Sequence, residues 1–194
     1  MSRRTTTIAP DYFDELYAQD SDPWKFATSP YEAEKYARTL AALPEPRYRN
    51  ALEVGCSIGV LTSLLAPRCE RLLALDAAAA PLEAARRRCE HHAHVSFACA
   101  FVPGEWPPGE FDLILLSEVV YYLDANDVAE LATKAAGSLA PGGTIALVHW
   151  TGETNYPLTG DEAAELFIAG LKDLVEIVDA QRSPGYRIDV LKRR

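Results

Sequence analysis

The sequence predicts an α/β domain, doubly wound around a seven-stranded, mostly parallel sheet with an antiparallel last strand. Three observations carry that expectation. Between Asn50 and Trp150, apolar runs of strand length alternate with helical patterns, as parallel strands joined by right-handed crossovers require. The last two apolar runs, 174–179 and 186–191, are separated only by 180–185. That link is too short for a crossover, and it ends in Pro184-Gly185, a hairpin signal. A chain of 194 residues with 48% hydrophobic content can bury one such core but not two.

Taken in order, residues 1–49 read as N-terminal lid helices and 50–194 as the core of a single domain. Tyr12, Phe13, Leu16 and Tyr17 form one stripe of a helix over 10–19. The segment from Asp20 to Pro23 is turn-forming and presents Trp24. A second helix opens with Ser29 as N-cap, Pro30 at the first position and Glu32 completing a capping box. It runs to about Leu43, where Pro44 and Pro46 stop it. Strands follow at 51–54, 72–76, 95–98, 111–117 and 144–150, with helices at 59–65, 81–91, 127–139 and 161–171.

Bulk properties narrow the partners. The longest apolar runs, 113–116 and 144–150, fall far short of a membrane span, and no apolar signal region follows the basic N-terminus, so a cytoplasmic protein is expected. Cys56, Cys69, Cys89 and Cys99 form no CxxC pair and read as reduced thiols. His91, His92 and His94 lack ligand-spaced partners, so no metal is expected and the cluster reads as a solvated helix end. The formal charge of −9 repels phosphate backbones. Arg86-Arg87-Arg88 reads as solvated surface and the Lys192–Arg194 tail as a frayed terminus, so no nucleic acid is expected. A small molecule or oligosaccharide is the anticipated acceptor.

The chemistry concentrates at strand ends. Glu53-Val54-Gly55-Cys56-Ser57-Ile58-Gly59 follows the first strand and opens a helix. Gly55 permits a sharp turn and close ligand approach, and Gly59 permits tight helix–strand packing. Ser57 stands where a dinucleotide fingerprint would carry its middle glycine, and Glu53 would repel a pyrophosphate. A carboxylate there suits a ligand bearing an ammonium and a sulfonium. Asp76 closes the second strand, placed to accept from both hydroxyls of a ribose or to cap the next helix. The fourth strand ends at Ser117-Glu118, and Pro141-Gly142-Gly143 turns a helix into the fifth strand.

As an ordered set, glycine loop, acidic second-strand end, Asp-led fourth strand and Pro-Gly-Gly turn resemble the Rossmann-like class I S-adenosylmethionine-dependent methyltransferases. Asp22-Pro23-Trp24, Thr28 to Glu32, Lys35-Tyr36, Thr39-Leu40 and Ser117 to Leu123 narrow the resemblance to the nodulation protein S (NodS) type, whose members methylate the free amine of a deacetylated chitooligosaccharide. The resemblance implies S-adenosyl-L-methionine as cofactor. It implies that Glu53, Gly55, Cys56, Ser57 and Gly59 line its methionine moiety, and Asp76 with Ala77 its ribose. Ser117 and Glu118 would border the sulfonium, and Trp24 and Tyr31 would belong to the lid. Ala100 and Phe101 stand where many relatives have an Asp for the adenine amino group, so adenine would rely on backbone groups and stacking.

An amine acceptor must be neutral to offer a lone pair. Candidates near it are Glu118, Tyr121, Tyr122 and His149, with Glu118, Tyr122 and His149 the expected catalytic groups. Tyr121 and Tyr122 are adjacent on a helical turn and are expected to diverge, one inward and one toward substrate. The lid must come from 10–43 and the 151–160 loop. O-methylation of a small hydroxylated metabolite, cofactor binding without catalysis, and nicotinamide chemistry are the alternatives.

Overall fold

The structure, a computed structural model, describes residues 3–194. Two helices lead, α1 (Pro10–Gln19) and α2 (Pro30–Ala42). Then come β1 (Ala51–Val54), α3 (Val60–Leu65), β2 (Leu72–Asp76), α4 (Ala80–Arg88), β3 (Val95–Cys99) and β4 (Phe111–Ser117). The chain continues through α5 (Ala125–Ser138), β5 (Leu139–Trp150), α6 (Gly160–Leu171), β6 (Val175–Arg182) and β7 (Tyr186–Arg193). One seven-stranded sheet has the order β3-β2-β1-β4-β5-β7-β6. The first five strands are parallel, and β7 lies antiparallel between β5 and β6.

The period of two sorts the side chains into two cores. Leu52, Val54, Ile114, Leu116, Ile145 and Leu147 face α5 and α6. Ala51, Leu113, Leu115, Ala146, Val148 and Val190 face α2 and α3. β1 lies between β2 and β4, so the winding direction reverses there and opens a crevice at the carboxyl ends.

Several boundaries differ from the sequence reading. β5 starts at Leu139, five residues early, because Leu139 pairs with Phe111 before a register shift. β6 and β7 run to Arg182 and Arg193, so the basic tail is strand rather than frayed end. Lys192 bonds Glu45 at 2.5 Å, and the Arg194 amide bonds the Leu174 carbonyl at 3.0 Å. Arg88 is more than solvated surface, since its Nε donates to the Ile58 carbonyl at 3.0 Å and ties α4 to the glycine loop. At α2, Ser29 Oγ accepts from the Glu32 amide at 3.4 Å, but the capping box is incomplete. The Ser29 amide bonds the Lys25 carbonyl, and the Glu32 carboxylate goes to Lys35. Both halves of a capping box form instead at α6, between Thr159 and Glu162.

Gly59 has φ +78°, and a Cβ there would sit 2.8 Å from Ala85 Cα and 2.9 Å from its Cβ. The close packing this glycine permits is therefore between α3 and α4, not helix against strand. Glu53 shares the α2–α3 face of the sheet with Ala51. It is fully buried, and neither carboxylate oxygen has a hydrogen-bond partner. Burial pushes its pKa up from 4.5 to about 7.

Replacing Gly59 by Ala is expected to cost about 2–4 kcal/mol, from the left-handed backbone plus overpacking against Ala85. Gly137→Ala, in α5 with nothing within 4 Å of the added Cβ, should instead stabilise by about 0.5–1 kcal/mol. Urea denaturation of the two variants checks both signs.

A carboxyl whose folded pKa lies above its unfolded value holds its proton more tightly when folded. Its cost is therefore absent well below pH 4.5, grows as pH rises, and levels off above about 7. The stability of Glu53→Gln relative to the native chain should rise by about 2–3 kcal/mol between pH 5 and pH 8. A pH-independent difference in urea titrations would contradict the assignment. Comparing variant with native chain cancels the contribution of every other titrating group.

Candidate active site

A cavity of about 430 Å³ occupies the crevice, within the range of small-molecule sites. Its floor is formed by strand ends: Val54, Gly55 and Ser57 after β1, Asp76 and Ala77 after β2, Ala100 to Val102 after β3, and Ser117 to Val119 after β4. Its roof is formed by Phe13 and Tyr17 of α1, Trp24 and Phe26 of the following turn, and Tyr31, Glu32 and Lys35 of α2. Ile8, Thr154 and Tyr156 close the side.

Gly55 has φ +86°, and a Cβ there would lie 2.3 Å from Val119 Cγ2 and 2.6 Å from the Ser117 carbonyl. Only a bare backbone passes between β1 and β4 at this point. Ser57 also adopts positive φ (48°), and its amide donates to Asp76 Oδ2 at 2.8 Å. Asp76 Oδ1 accepts from the Ala78 amide at 3.0 Å. Both bonds precede α4, whose N-cap is Ala79, so Asp76 braces the loops rather than capping the helix. Burial raises its pKa to about 6 against the lowering effect of those amides. Ser57 Oγ in turn meets the Tyr17 hydroxyl at 2.6 Å, fastening the loop to α1.

A second node lies at the end of β4. Glu118 has φ +56°, and its amide donates to the Val148 carbonyl at 2.8 Å. Glu118 Oε1 accepts from Lys35 Nζ at 2.6 Å, and Oε2 accepts from the Tyr121 hydroxyl and the Trp150 amide, each at 2.8 Å. Lys35 also donates to Glu32 at 3.0 Å, and its side chain is 2% exposed. Burial pulls the lysine pKa down, but Glu118 and Glu32 together outweigh burial and hold it above its ordinary value. Lys35 belongs to this site and escaped the sequence reading. The available signal was spacing, since Glu32, Lys35, Tyr36 and Thr39 all fall on the buried stripe of α2.

Of the expected site residues, Trp24, Tyr31, Gly55, Ser57, Asp76, Ala77, Ala100, Phe101, Ser117, Glu118 and Tyr122 line the cavity. Glu53, Cys56, Gly59 and His149 are not among its lining residues. Glu53 is fully buried on the α2–α3 face of the sheet. Cys56 is buried against Ala74 and Leu82, and Gly59 against Ala85. His149 is fully buried, and its Nε2 accepts from the Val120 amide at 3.2 Å. Burial lowers its pKa to about 4, so it is neutral and out of reach as a base. Tyr121 and Tyr122 do not diverge. Both rings face the cavity because Tyr156 covers them, its centroid 5.4 and 4.6 Å from theirs. The Phe101 amide, expected near adenine, donates to Glu105 Oε2 at 2.7 Å. Among the described residues, no group of three or more His, Cys, Asp or Glu could hold a metal ion, and no helix is long and apolar enough to cross a membrane.

Comparison with known proteins places this geometry in a family. The family model for nodulation protein S (NodS) matches residues 12–146. Nodulation protein S of Rhizobium tropici is 39% identical over 129 residues, covering 64% of this chain and 53% of the relative. Its counterpart in Sinorhizobium fredii is 36% identical over 133 residues, covering 66% of this chain and 60% of the relative. The chain thus spans little more than half the length of the curated relatives it matches. The crystal structure of N-methyltransferase NodS from Bradyrhizobium japonicum WM9 in complex with S-adenosyl-L-homocysteine superposes with a TM-score of 0.81. It is 26% identical, and the match covers 94% of this chain and 97% of that one. With the family model matching more than half of its residues, the chain belongs to the NodS family.

Proposed function

We propose that the chain is an S-adenosylmethionine-dependent methyltransferase acting on the amine of a small molecule or of an amino sugar at an oligosaccharide end. This reading rests on the Asp76–Ser57 junction, which holds an acidic strand end and a glycine-containing loop together on one cavity wall. The site's donors and acceptors suit that cofactor. Asp76 retains lone pairs for two ribose hydroxyls, and Gly55 leaves room for a ligand against bare backbone. Lys35, the only basic group among the described lining residues, is the counterion for a methionine carboxylate. Trp24 and Phe101 offer aromatic walls to a nucleoside. Family membership supports the same activity. Residues 1–49 act as the lid of this site and 50–194 as its core.

Bound S-adenosylmethionine supplies a methyl group on a sulfonium, which a neutral amine takes in line while the C–S bonding pair returns to sulfur. The chain contributes alignment and a dry site. Glu118 faces the acceptor as a held anion, its oxygens engaged by Lys35, Tyr121 and Trp150. Tyr121 and Tyr122 are pushed by burial well above the usual phenol range and stay protonated. With no free base at the cavity wall, the amine gives its proton to solvent before the lid closes over it. Glu118 and Tyr122 then orient it by hydrogen bonds. Cys56, Cys69, Cys89 and Cys99 are all free thiols, in keeping with a cytoplasmic enzyme.

Calorimetry should detect S-adenosylhomocysteine binding to the native chain. Asp76→Ala, shown to be folded by circular dichroism, should bind it ~10–100-fold more weakly, the loss of charge-assisted hydrogen bonds. Equal affinity in the two proteins would remove the cofactor reading. Methyl transfer from labelled cofactor to a deacetylated chitooligosaccharide, but not to a catechol, is the expected acceptor result.

A further inference from the structure

Charge distinguishes the acceptor side of the cavity more sharply than shape does. Two carboxylates line it, Glu32 and Glu118, against the single ammonium of Lys35, and the third carboxylate of the cavity, Asp76, lies on the cofactor floor. That ammonium has three donors, and two go to Glu32 and Glu118. The proposed cofactor's own carboxylate takes the third. The other donors on this rim, the Tyr121 hydroxyl and the Trp150 amide, already serve Glu118. A second anion entering here would meet no uncommitted side-chain cation and two largely desolvated carboxylates.

We infer that Glu32, Lys35 and Glu118 form a charge filter, which admits an acceptor whose only ionisable group is its amine and rejects one carrying a phosphate or carboxylate beside that amine. The inference rests on the cofactor reading above and adds the acceptor's charge class to it. The filter works by difference. An ammonium gains from the surplus of carboxylates and from the aromatic faces beside them, where Lys35 itself lies 5.5 Å from the centre of the Tyr31 ring. A phosphomonoester, with close to two negative charges at neutral pH, would be pressed against Glu118 and Glu32 with its hydration stripped. Freeing Lys35 for it would break the ion pair that holds α2 to the end of β4.

The test titrates glucosamine and glucosamine 6-phosphate into the S-adenosylhomocysteine-loaded native chain by calorimetry, after loading itself has been measured. Glucosamine is expected to bind at least ~100-fold more tightly than its 6-phosphate. In Glu32→Gln, which keeps the Lys35–Glu118 pair, that ratio should fall ~10-fold. Equal or tighter binding of the phosphate ester to the loaded protein overturns the filter and leaves the cofactor reading intact. So does binding of neither sugar at millimolar concentration. Failure of S-adenosylhomocysteine to bind overturns the cofactor reading, and the filter with it.

Discussion

Lys35 sits on α2 and Glu118 at the end of β4, and the ion pair between them sets where the helix rests on the sheet. Both groups are nearly withdrawn from water, with side chains 2% and 13% exposed. Such a pair costs several kcal/mol of desolvation and recovers it only when its remaining hydrogen-bonding capacity is filled. Here all but one Lys35 donor is engaged, because Glu118 also receives Tyr121 and the Trp150 amide, and Lys35 also reaches Glu32. The geometry demands a non-glycine residue at φ +56°, a conformation that costs ~1–2 kcal/mol and that clusters at functional positions. Mutual satisfaction of these groups fixes the height of α2 above the sheet, and so the depth of the cavity.

A second set of ties anchors the segment before α1. The Ile8 amide donates to the Tyr122 carbonyl at 2.9 Å, and the Arg4 amide to the Asn155 carbonyl at 3.0 Å. Arg4 also lies 5.0 Å from the centre of the Tyr12 ring. Thr7 bonds Asp127 and accepts from the Asp124 amide, joining the segment before α1 to the start of α5. The cavity's helical roof is thus held by backbone bonds at one edge and by charge at the other. The Tyr17–Ser57 contact lies between them, directly over the glycine loop.

Much of the fold was legible because it follows from period and punctuation. Strand runs of alternating or continuous apolar residues, Pro30 after Ser29, and the short link before Tyr186 each specify one local outcome. Boundaries failed where pairing partners decide them. Leu139 is strand because Phe111 lies beside it, a fact invisible in the local sequence. Site residues divided in the same way. Gly55 and Asp76 line the cavity because one follows and the other closes a strand, places that the apolar runs mark. Glu53 does not line it, because side-chain parity puts it with Ala51 on the buried α2–α3 face. His149 does not line it either, since β5 is covered on both faces and a histidine there is sealed in. The Lys35–Glu118 contact spans 83 positions, and no local pattern announces a partner so distant.

The division between strand ends and helical roof also separates two kinds of constraint. The groups suited to a nucleoside, Gly55, Ser57, Asp76 and Ala77, sit on strand ends whose positions are fixed by register with β2 and β4. Changing any of them disturbs the sheet's own packing, as the 2.3 Å approach that a Cβ on Gly55 would make to Val119 illustrates. The groups that the proposed function assigns to an acceptor, Tyr31, Glu32, Lys35 and Tyr156, are carried by α2 and by the loop after β5, outside the strand ladder. A substitution there alters charge and shape at the cavity mouth without breaking a strand pair. Proteins of this architecture can therefore keep one cofactor floor while their acceptors diverge. The proposed charge filter accordingly places acceptor choice in the ion pairs of α2 rather than in the glycine loop.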